Sequence, residues 1–355
     1  MKSINANGYE IHFNQESYSH LNAYLKEHNF SKIFFLVDEN SNEYCLPKIL
    51  PLIETETPFE IIELEAGEEN KTIETCSQVW NVLIELGADR KSLFINVGGG
   101  VITDMGGFIA STYKRGIPFI NIPTTLLSMV DASVGGKNGV DLGGLKNQIG
   151  TITNPAMIVI DSSFLESLPQ REMRSGLAEM LKHGLIAKAS HWEKFSKLEE
   201  IRFDEFDELI RESVSIKNEI VTQDPTENGI RKALNFGHTL GHGIETYFLE
   251  DDERETLLHG EAIAAGMILE SFISLEKGLL SPEEYAEIKT KLNQIYTPIH
   301  IDENDENQII DLLIHDKKNE YGKVQFALLD GIGNIKINQI TDNETIKRAF
   351  KNYKI

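Results

Sequence analysis

The chain has 355 residues, 41% of them hydrophobic and 25% charged, which is typical of a folded protein with room for about two domains. Its 34 basic and 56 acidic residues give a formal net charge of −22, the wrong sign for a protein that binds a nucleic-acid backbone. The longest uncharged run, residues 116–130, is broken by two prolines and is too short for a membrane span. Without an apolar leader segment, the sequence predicts a cytoplasmic protein with no nucleic-acid or membrane partner.

The first half of the chain alternates short β-branched runs with stretches of helical spacing. The predicted strands are 33–37, 60–64, 92–97, 119–122 and 157–160. Val79, Val82, Leu83 and Leu86 have the spacing of one helix face, and Gly87 suits the end of that helix. Strands that alternate with helices indicate an α/β fold with a parallel sheet covered on both faces.

The second half has long helical periodicities with Glu and Lys on the outer face. Near the carboxyl end, residues 324–329 and 335–337 flank a glycine-containing turn, which indicates a hairpin. The acidic runs 250–253 and 302–306 are expected to be solvated loops. We therefore predict two domains, an α/β domain over residues 1–168 and a mostly helical domain over residues 169–355.

A run of three glycines follows the predicted strand 92–97. Gly98, Gly99 and Gly100 precede a predicted helix, so backbone amides at the helix start can approach an anion such as a diphosphate. Tight packing alone would also explain these glycines. Asp38 follows strand 33–37, where a doubly wound fold places an acidic residue on a ribose hydroxyl, although a turn or helix cap is equally consistent with it.

The next segments combine glycine, lysine and polar side chains. Thr124, Thr125 and Asp131 precede a Gly-Gly-Lys sequence that ends at Lys137, and Lys146 is followed by Asn147. Lysines in a glycine-rich stretch of an acidic protein indicate an anionic ligand, and a solvated loop is the alternative.

The helical half contains a concentration of metal-ligand residue types. Glu179 and Lys182 share a helix face, as an ion pair or as part of a site. His238 and His242 are one turn apart, and His259 follows. Neutral imidazoles with one carboxylate are typical ligands of a catalytic Zn²⁺. Spacing alone nominates His238 and His242 as a ligand pair.

Taken together, these segments resemble the 3-dehydroquinate synthases over nearly the whole chain. The resemblance is carried by 98–102 with Asp104, 123–125, 130–131, 135–137, 146–147, Glu179 with Lys182, Arg231 with Asn235, and 238–242. It implies a Rossmann-like NAD-binding domain, a helical metal-binding domain and a homodimer. Two departures from the usual family pattern are Asn138, where many members have Thr, and the stretch 141–145.

The resemblance also implies individual roles. It assigns Zn²⁺ or Co²⁺ to Glu179, His238 and His259, and gives His242 to substrate and proton handling instead. The implied NAD contacts are Asp38, Asn40, Glu68, Lys71, Gly99, Gly100, Val101, Asp104, Thr124, Thr125 and Lys146. The implied substrate contacts are Arg115 from a neighbouring subunit, Asp131, Lys137, Asn147, Lys182, Lys217, Arg231, Asn235 and Lys318 or its neighbour Lys317. The implied catalytic residues are Lys137, Lys182, Glu227, Arg231, Asn235 and His242.

The family reaction converts a sugar acid phosphate, 3-deoxy-D-arabino-heptulosonate 7-phosphate (DAHP), into 3-dehydroquinate and phosphate in the shikimate pathway of aromatic biosynthesis. The resemblance implies transient oxidation by NAD⁺, phosphate elimination, reduction, ring opening and an aldol closure. The alternatives are another sugar phosphate cyclase, which makes a deoxyinosose or a valiolone, a metal-dependent alcohol or glycerol dehydrogenase, and a non-catalytic NAD-binding regulator.

Overall fold

The computed structural model describes residues 1–143, 145–195, 203–249, 254–313 and 324–354. The chain divides into two compact units, Met1–Pro169 and Gln170–Ile355. Within the described ranges, no helix combines the length and the apolar character that crossing a membrane requires.

The first unit alternates strands and helices. Its strands are β1 (Ile4–Asn5), β2 (Glu10–Phe13), β3 (Ile33–Asp38), β4 (Phe59–Leu64), β5 (Leu93–Gly98), β6 (Phe119–Pro123), β7 (Lys137–Leu142), β8 (Leu145–Ile152) and β9 (Met157–Ile160). Its helices are α1 (Asn14–Glu27), α2 (Glu39–Tyr44), α3 (Leu46–Ile49), α4 (Ile73–Glu85) and α5 (Gly100–Thr112). The five strands expected from the β-branched runs and the helix that ends before Gly87 are all present.

Seven of these strands form one sheet in the order β1-β2-β9-β6-β5-β3-β4, whereas β7 and β8 form a sheet of their own. All neighbouring pairs from β2 to β4 in this order are parallel, which confirms the predicted α/β class. From β3 the chain moves outward to β4 and then returns to β5 on the other side of β3. This reversal is the topological switch point of the sheet, where the carboxyl ends of parallel strands leave room for a ligand.

A hairpin of β7 and β8 was not expected from the sequence. The two strands pair antiparallel, and Asn138 is buried within β7. Its side-chain amide donates to the carbonyl oxygens of Gly136 and Thr153, each at 2.9 Å. The Asn138 departure from the family pattern is therefore accommodated by the hairpin's own hydrogen bonds.

The second unit is mostly helical. Its helices are α6 (Gln170–Ala187), α7 (Ala189–Lys194), α8 (Phe203–Gln223), α9 (His238–Leu249), α10 (His259–Glu276), α11 (Pro282–Ile295), α12 (Glu303–Leu313) and α13 (Asn343–Tyr353). The expected hairpin is formed by β10 (Gln325–Leu329) and β11 (Ile335–Ile340), which pair antiparallel.

Helix α10 is the centre of the second unit. Its residues 262–271 are all buried; most are apolar, and the carboxylate of Glu270 accepts hydrogen bonds from the amides of Gly237 and Leu240. Two glycines let neighbouring backbones approach it. A Cβ at Gly260 would lie 2.2 Å from the carbonyl oxygen of Ser175 in α6, and one at Gly266 would lie 2.0 Å from that of Gly237. The first half of α10 is thus packed closely against the backbone of α6, at Gly260, and against the backbone at the start of α9, at Gly266.

The expectation of a solvated loop over 302–306 is wrong. Helix α12 begins at Glu303, because the side chain of Asp302 accepts hydrogen bonds from the amides of Asn304 and Asp305. Asp305 is buried, and its carboxylate accepts two hydrogen bonds from Arg254, at 2.8 and 3.0 Å. A buried carboxylate with a guanidinium partner does not need water. The other acidic run, 250–253, lies outside the described residues.

We predict that Gly260→Ala destabilises the protein by about 1–3 kcal/mol, because the added methyl group collides with the α6 backbone. Thr290→Ala, at an exposed position of α11, is the control. Urea-induced unfolding followed by circular dichroism measures the free energy of unfolding of both variants. Since Ala has a better intrinsic helix propensity than Gly by about 1 kcal/mol, a Gly260→Ala protein that is more stable than the parent would contradict the close packing.

Candidate functional site

The first unit presents a helix start at the switch point of its sheet. Strand β5 ends at Gly98, Gly99 occupies the position before α5, and α5 begins at Gly100. Glycine supplies no side-chain cap, so the amides of the first turn face outward as donors, at the positive end of the helix dipole. This geometry suits a diphosphate, as the three-glycine run predicts.

Three predicted NAD contacts lie at the same edge of the sheet as this helix start. Thr124 donates its amide to the carbonyl oxygen of Gly98 at 2.9 Å, and the methyl group of Thr125 would lie 3.1 Å from a Cβ at Gly99. Asp38 ends β3, and its Oδ1 accepts the amide of Ser41 at 2.7 Å. Asp38 is therefore a helix cap for α2 in this structure, and its contact with a ribose stays a prediction.

A second group of predicted residues surrounds the ammonium group of Lys71. Lys71 is buried, and its Nζ lies 2.7 Å from Oδ2 of Asp104 and 2.9 Å from Oδ1 of Asn147. Glu68 approaches both Lys71, at 3.9 Å, and Lys146, at 3.6 Å. The structure therefore brings together five residues from three separate segments: Glu68, Lys71, Asp104, Lys146 and Asn147.

The electrostatics of this group keep Lys71 charged. Burial by itself would lower the pKa of Lys71, but the carboxylates of Asp104, Glu68 and Asp141 outweigh burial and raise it. Burial also raises the pKa of Asp141, although its carboxylate accepts the amide of Asn147 at 2.6 Å. The Lys71 ammonium is therefore a buried positive charge that three carboxylates surround.

The remaining predicted residues of the first unit are spread over other segments. Asn40 and Lys137 are exposed, on α2 and at the start of β7, whereas Val101 and Asp131 are partly buried. Arg115 is exposed and has a positive φ of 70°. It follows Lys114 and precedes Gly116, which also have positive φ. The proposed contact of Arg115 with a neighbouring subunit stays a prediction.

The second unit brings the three predicted metal ligands together. Glu179 lies in the buried middle of α6, and His238 and His259 are the first residues of α9 and α10. Oε1 of Glu179 lies 3.6 Å from Nε2 of His238 and 3.8 Å from Nε2 of His259. Two ligands of a tetrahedral zinc ion, each about 2.0–2.1 Å from the metal, are about 3.4 Å apart. The separations are close to those of a metal centre.

The carboxylate of Glu179 has the surroundings expected of a cation ligand. Its side chain is 0% exposed, and Oε1 has no hydrogen-bond partner among the described residues. An ionised oxygen in that position is costly unless a positive charge lies next to it. The ammonium group of Lys182, which is also buried, pairs with the other oxygen, Oε2. Glu179, His238 and His259 therefore fit a divalent cation.

The outer nitrogen of each histidine faces an oxygen atom. Nδ1 of His238 lies 3.1 Å from the carbonyl oxygen of Phe236, and Nδ1 of His259 lies 3.4 Å from Oε2 of Glu245. Burial by itself would lower the pKa of His259, but the carboxylates of Glu245 and Glu179 raise it to about 9. Sequence reasoning missed Glu245, although its position three residues after His242 and seven after His238 places it on the same face of α9.

The spacing-based pairing of His238 with His242 is not the arrangement of the structure. The two rings are 5.1 Å apart and nearly perpendicular. Among the described residues, each compact group of possible ligands that contains His259 pairs it with Glu179 and His238 or with His242 and Glu245. His238 thus shares a group with a carboxylate from another helix rather than with its own helical neighbour.

Apart from Lys182 on α6, the predicted substrate residues of this unit that the structure describes lie on α8 and on the turn 230–235 that leads to α9. Arg231 is buried, and its guanidinium donates to the carbonyl oxygen of Pro225 at 2.7 Å. The amide of Asn235 donates to Oε1 of Glu227 at 2.8 Å, and Glu227 has a positive φ of 60°. Lys217 is buried on α8. Lys317 and Lys318 lie outside the described residues.

Two family models match consecutive parts of the chain. The 3-dehydroquinate synthase N-terminal model matches residues 61–175, and the 3-dehydroquinate synthase C-terminal model matches residues 176–319. Among curated proteins, a 3-dehydroquinate synthase from Parabacteroides distasonis is 40% identical over 95% of both chains. One from Campylobacter jejuni is 37% identical over 91% of this chain and 93% of the relative.

Solved structures of similar proteins extend over the full chain. A 2-deoxy-scyllo-inosose synthase complexed with carbaglucose-6-phosphate, NAD⁺ and Co²⁺ has a TM-score of 0.84 at 25% identity and covers 99% of each chain. A 2-epi-5-epi-valiolone synthase from Streptomyces hygroscopicus, solved with NAD⁺ and Zn²⁺, has a TM-score of 0.83 at 25% identity, over 100% of this chain and 99% of the other. An iron-containing alcohol dehydrogenase, 14% identical with a TM-score of 0.68 and 99% coverage of each chain, shares the fold.

Proposed function

Because the chain belongs to the 3-dehydroquinate synthase family, we propose that it converts DAHP into 3-dehydroquinate and phosphate, as a phosphate-eliminating lyase of aromatic biosynthesis. The observation that carries this proposal is the group formed by Glu179, His238 and His259. A buried carboxylate oxygen with two imidazole nitrogens at 3.6 and 3.8 Å is a site for a catalytic cation.

We propose that Glu179, His238 and His259 hold Zn²⁺ or Co²⁺. When bound, the metal supplies a Lewis acid that polarises hydroxyl and carbonyl oxygens of the substrate. Glu179 brings one negative charge to the site, and Lys182 offsets part of it. His242 and Glu227 have the residue types for moving a proton, and the hydrogen bond from Asn235 orients the Glu227 carboxylate.

We propose that residues 1–168 form the NAD⁺-binding domain, and that residues 169–355 form the metal and substrate domain, which supplies all three metal ligands. When bound, the dinucleotide supplies reversible hydride transfer. The support is the uncapped start of α5 at the switch point, which suits a diphosphate. Thr124 and Thr125 border that helix start, and the residues around Lys71 form a cluster of hydrogen bonds and ion pairs in the same unit. The proposed contacts of Asp38, Asn40 and Val101 rest on the family resemblance.

The anionic substrate requires local cations. A phosphate and a carboxylate are repelled by a chain of net charge −22, so Lys137, Lys182, Lys217 and Arg231 have to produce a locally positive field. We propose that they and Lys318 hold the phosphate and the carboxylate, and that Asp131 and Asn147 contact other parts of the substrate. We also propose that the protein is a homodimer in the cytoplasm, in which Arg115 of each subunit contributes to the substrate site of the other.

The function is tested by mixing the purified protein with DAHP, substoichiometric NAD⁺ and Zn²⁺. We expect phosphate and 3-dehydroquinate in equal amounts and many turnovers per NAD⁺, because the cofactor ends each cycle oxidised. Chelation should abolish phosphate release, and Zn²⁺ or Co²⁺ should restore it. Turnover of glucose 6-phosphate instead of DAHP would favour another cyclase, whereas steady accumulation of NADH from simple alcohols would favour a dehydrogenase.

Arg231→Ala should lower kcat/KM for DAHP by about 10–100-fold, because a charge-assisted hydrogen bond to a buried anion is worth about 1.5–3 kcal/mol. Arg231→Lys keeps the charge and should recover part of the loss. Lys232→Ala, next to it on the same turn, is the control for changes in the turn itself. Wild-type kinetics in both Arg231 variants would contradict its role in substrate binding.

A further inference from the structure

We propose that Glu245 is a positioning residue for the metal centre, which holds the imidazole of His259 so that Nε2 points at the metal. This inference rests on the proposed metal site and adds to it a residue that contacts the metal only through His259.

The geometry gives the two nitrogens of His259 different partners. Oε2 of Glu245 lies 3.4 Å from Nδ1, and Oε1 of Glu179 lies 3.8 Å from Nε2. Glu245 is 5% exposed and Glu179 is 0% exposed. The ring is therefore placed between two buried carboxylates, one from α9 and one from α6, and each carboxylate faces its own nitrogen.

The chemistry of metal binding distinguishes these two carboxylates. A histidine ligand offers the lone pair of one nitrogen to the metal and keeps a proton on the other, and an acceptor for that proton fixes the tautomer and the ring orientation. Glu245 is such an acceptor at Nδ1. Glu179 lies on the Nε2 side, close to His238, where the metal would bind.

The two histidine ligands are held by different means. Nδ1 of His238 faces the backbone carbonyl of Phe236, which no substitution removes. Nδ1 of His259 faces a side chain on another helix. His259 is also the first residue of α10, where the chain enters the helix. We therefore expect that a single side-chain replacement can disturb the ring orientation of His259 but not that of His238.

A different arrangement would make Glu245 a ligand. His242, Glu245 and His259 also have ligand atoms within 4.8 Å of one another. A metal in that group would use Nδ1 of His259, and Oε1 of Glu179 would then have no metal ion next to it. The unpartnered Oε1 of Glu179 favours the first arrangement, in which Glu245 accepts the Nδ1 proton.

The test measures Co²⁺ affinity of the full-length, metal-free protein by competition with a chelator, without NAD⁺ or substrate. Glu245→Ala should weaken Co²⁺ binding about 10–100-fold, the usual effect of losing such an acceptor. Glu245→Gln should stay within about threefold of the parent, because its amide oxygen still accepts the Nδ1 proton. Glu219→Ala, which removes an exposed carboxylate from α8, controls for charge, and circular dichroism verifies the fold.

Further variants separate the possible failures. If Glu245→Ala does not fold, Glu245→Asp is used, which shortens the reach to Nδ1 and should also weaken binding. Unchanged Co²⁺ affinity in a folded Ala or Asp variant overturns the inference. Equal losses of Co²⁺ affinity in Glu245→Gln and Glu245→Ala, together with an unchanged Co²⁺ affinity in Glu179→Ala, would make Glu245 a ligand. That result would also overturn the inference. Parent-like affinity in His238→Ala would instead show that the proposed metal site is wrong.

Discussion

The structure of the second unit depends on the convergence of three helix segments on one buried carboxylate. Glu179 is in the middle of α6, and the two histidines that face its Oε1 are the first residues of α9 and α10. Gly260 lets the start of α10 approach the backbone of α6, and Gly266 lets α10 approach the backbone at the start of α9. The distances of 3.6 and 3.8 Å around Oε1 follow from that packing, so the helical core and the candidate metal centre are built by the same contacts.

Buried charge is the second constraint on this molecule. The chain has a net charge of −22, and yet Lys71 and Lys182 are almost entirely buried. Each of them lies against a carboxylate, Asp104 for Lys71 and Glu179 for Lys182. Such pairs contribute little net stability compared with apolar residues of similar size. Removing one partner is nevertheless strongly destabilising, because the other charge stays buried without a counter-charge. We propose that these two ammonium groups are held in place for anionic ligands, which an overall acidic protein can bind only where cations are concentrated.

The fold was largely predictable because its signals are local. Runs such as 33–37 and 92–97 are strands buried on both faces, and their β-branched composition is visible without the structure. The hairpin β7–β8 was missed because its glycines and polar residues, including Asn138, carry no alternating pattern. Helix α12 was missed because the partner that neutralises Asp305 is Arg254, 51 residues away in the chain. Long-range partners of this kind cannot be read from local spacing.

The sequence predicted which residues belong to the candidate site better than it predicted the contacts between them. The family resemblance nominated Glu179, whereas helical spacing alone nominated His238 with His242. Helical spacing relates residues of a single helix, here α9, whereas the carboxylate of Glu179 comes from α6. Glu245 was missed for the same reason, since its importance depends on His259 at the start of a different helix. The roles of the individual NAD and substrate contacts remain predictions.

The central claim is that Glu179, His238 and His259 bind one metal ion together. X-ray absorption at the cobalt edge of the Co²⁺-loaded protein tests it directly, because scattering by imidazole rings is distinctive. The account predicts two imidazoles and oxygen ligands at about 2.0–2.2 Å, with one imidazole lost in His238→Ala and in His259→Ala but not in His242→Ala. An unchanged spectrum in His238→Ala, or an imidazole lost in His242→Ala, would contradict it.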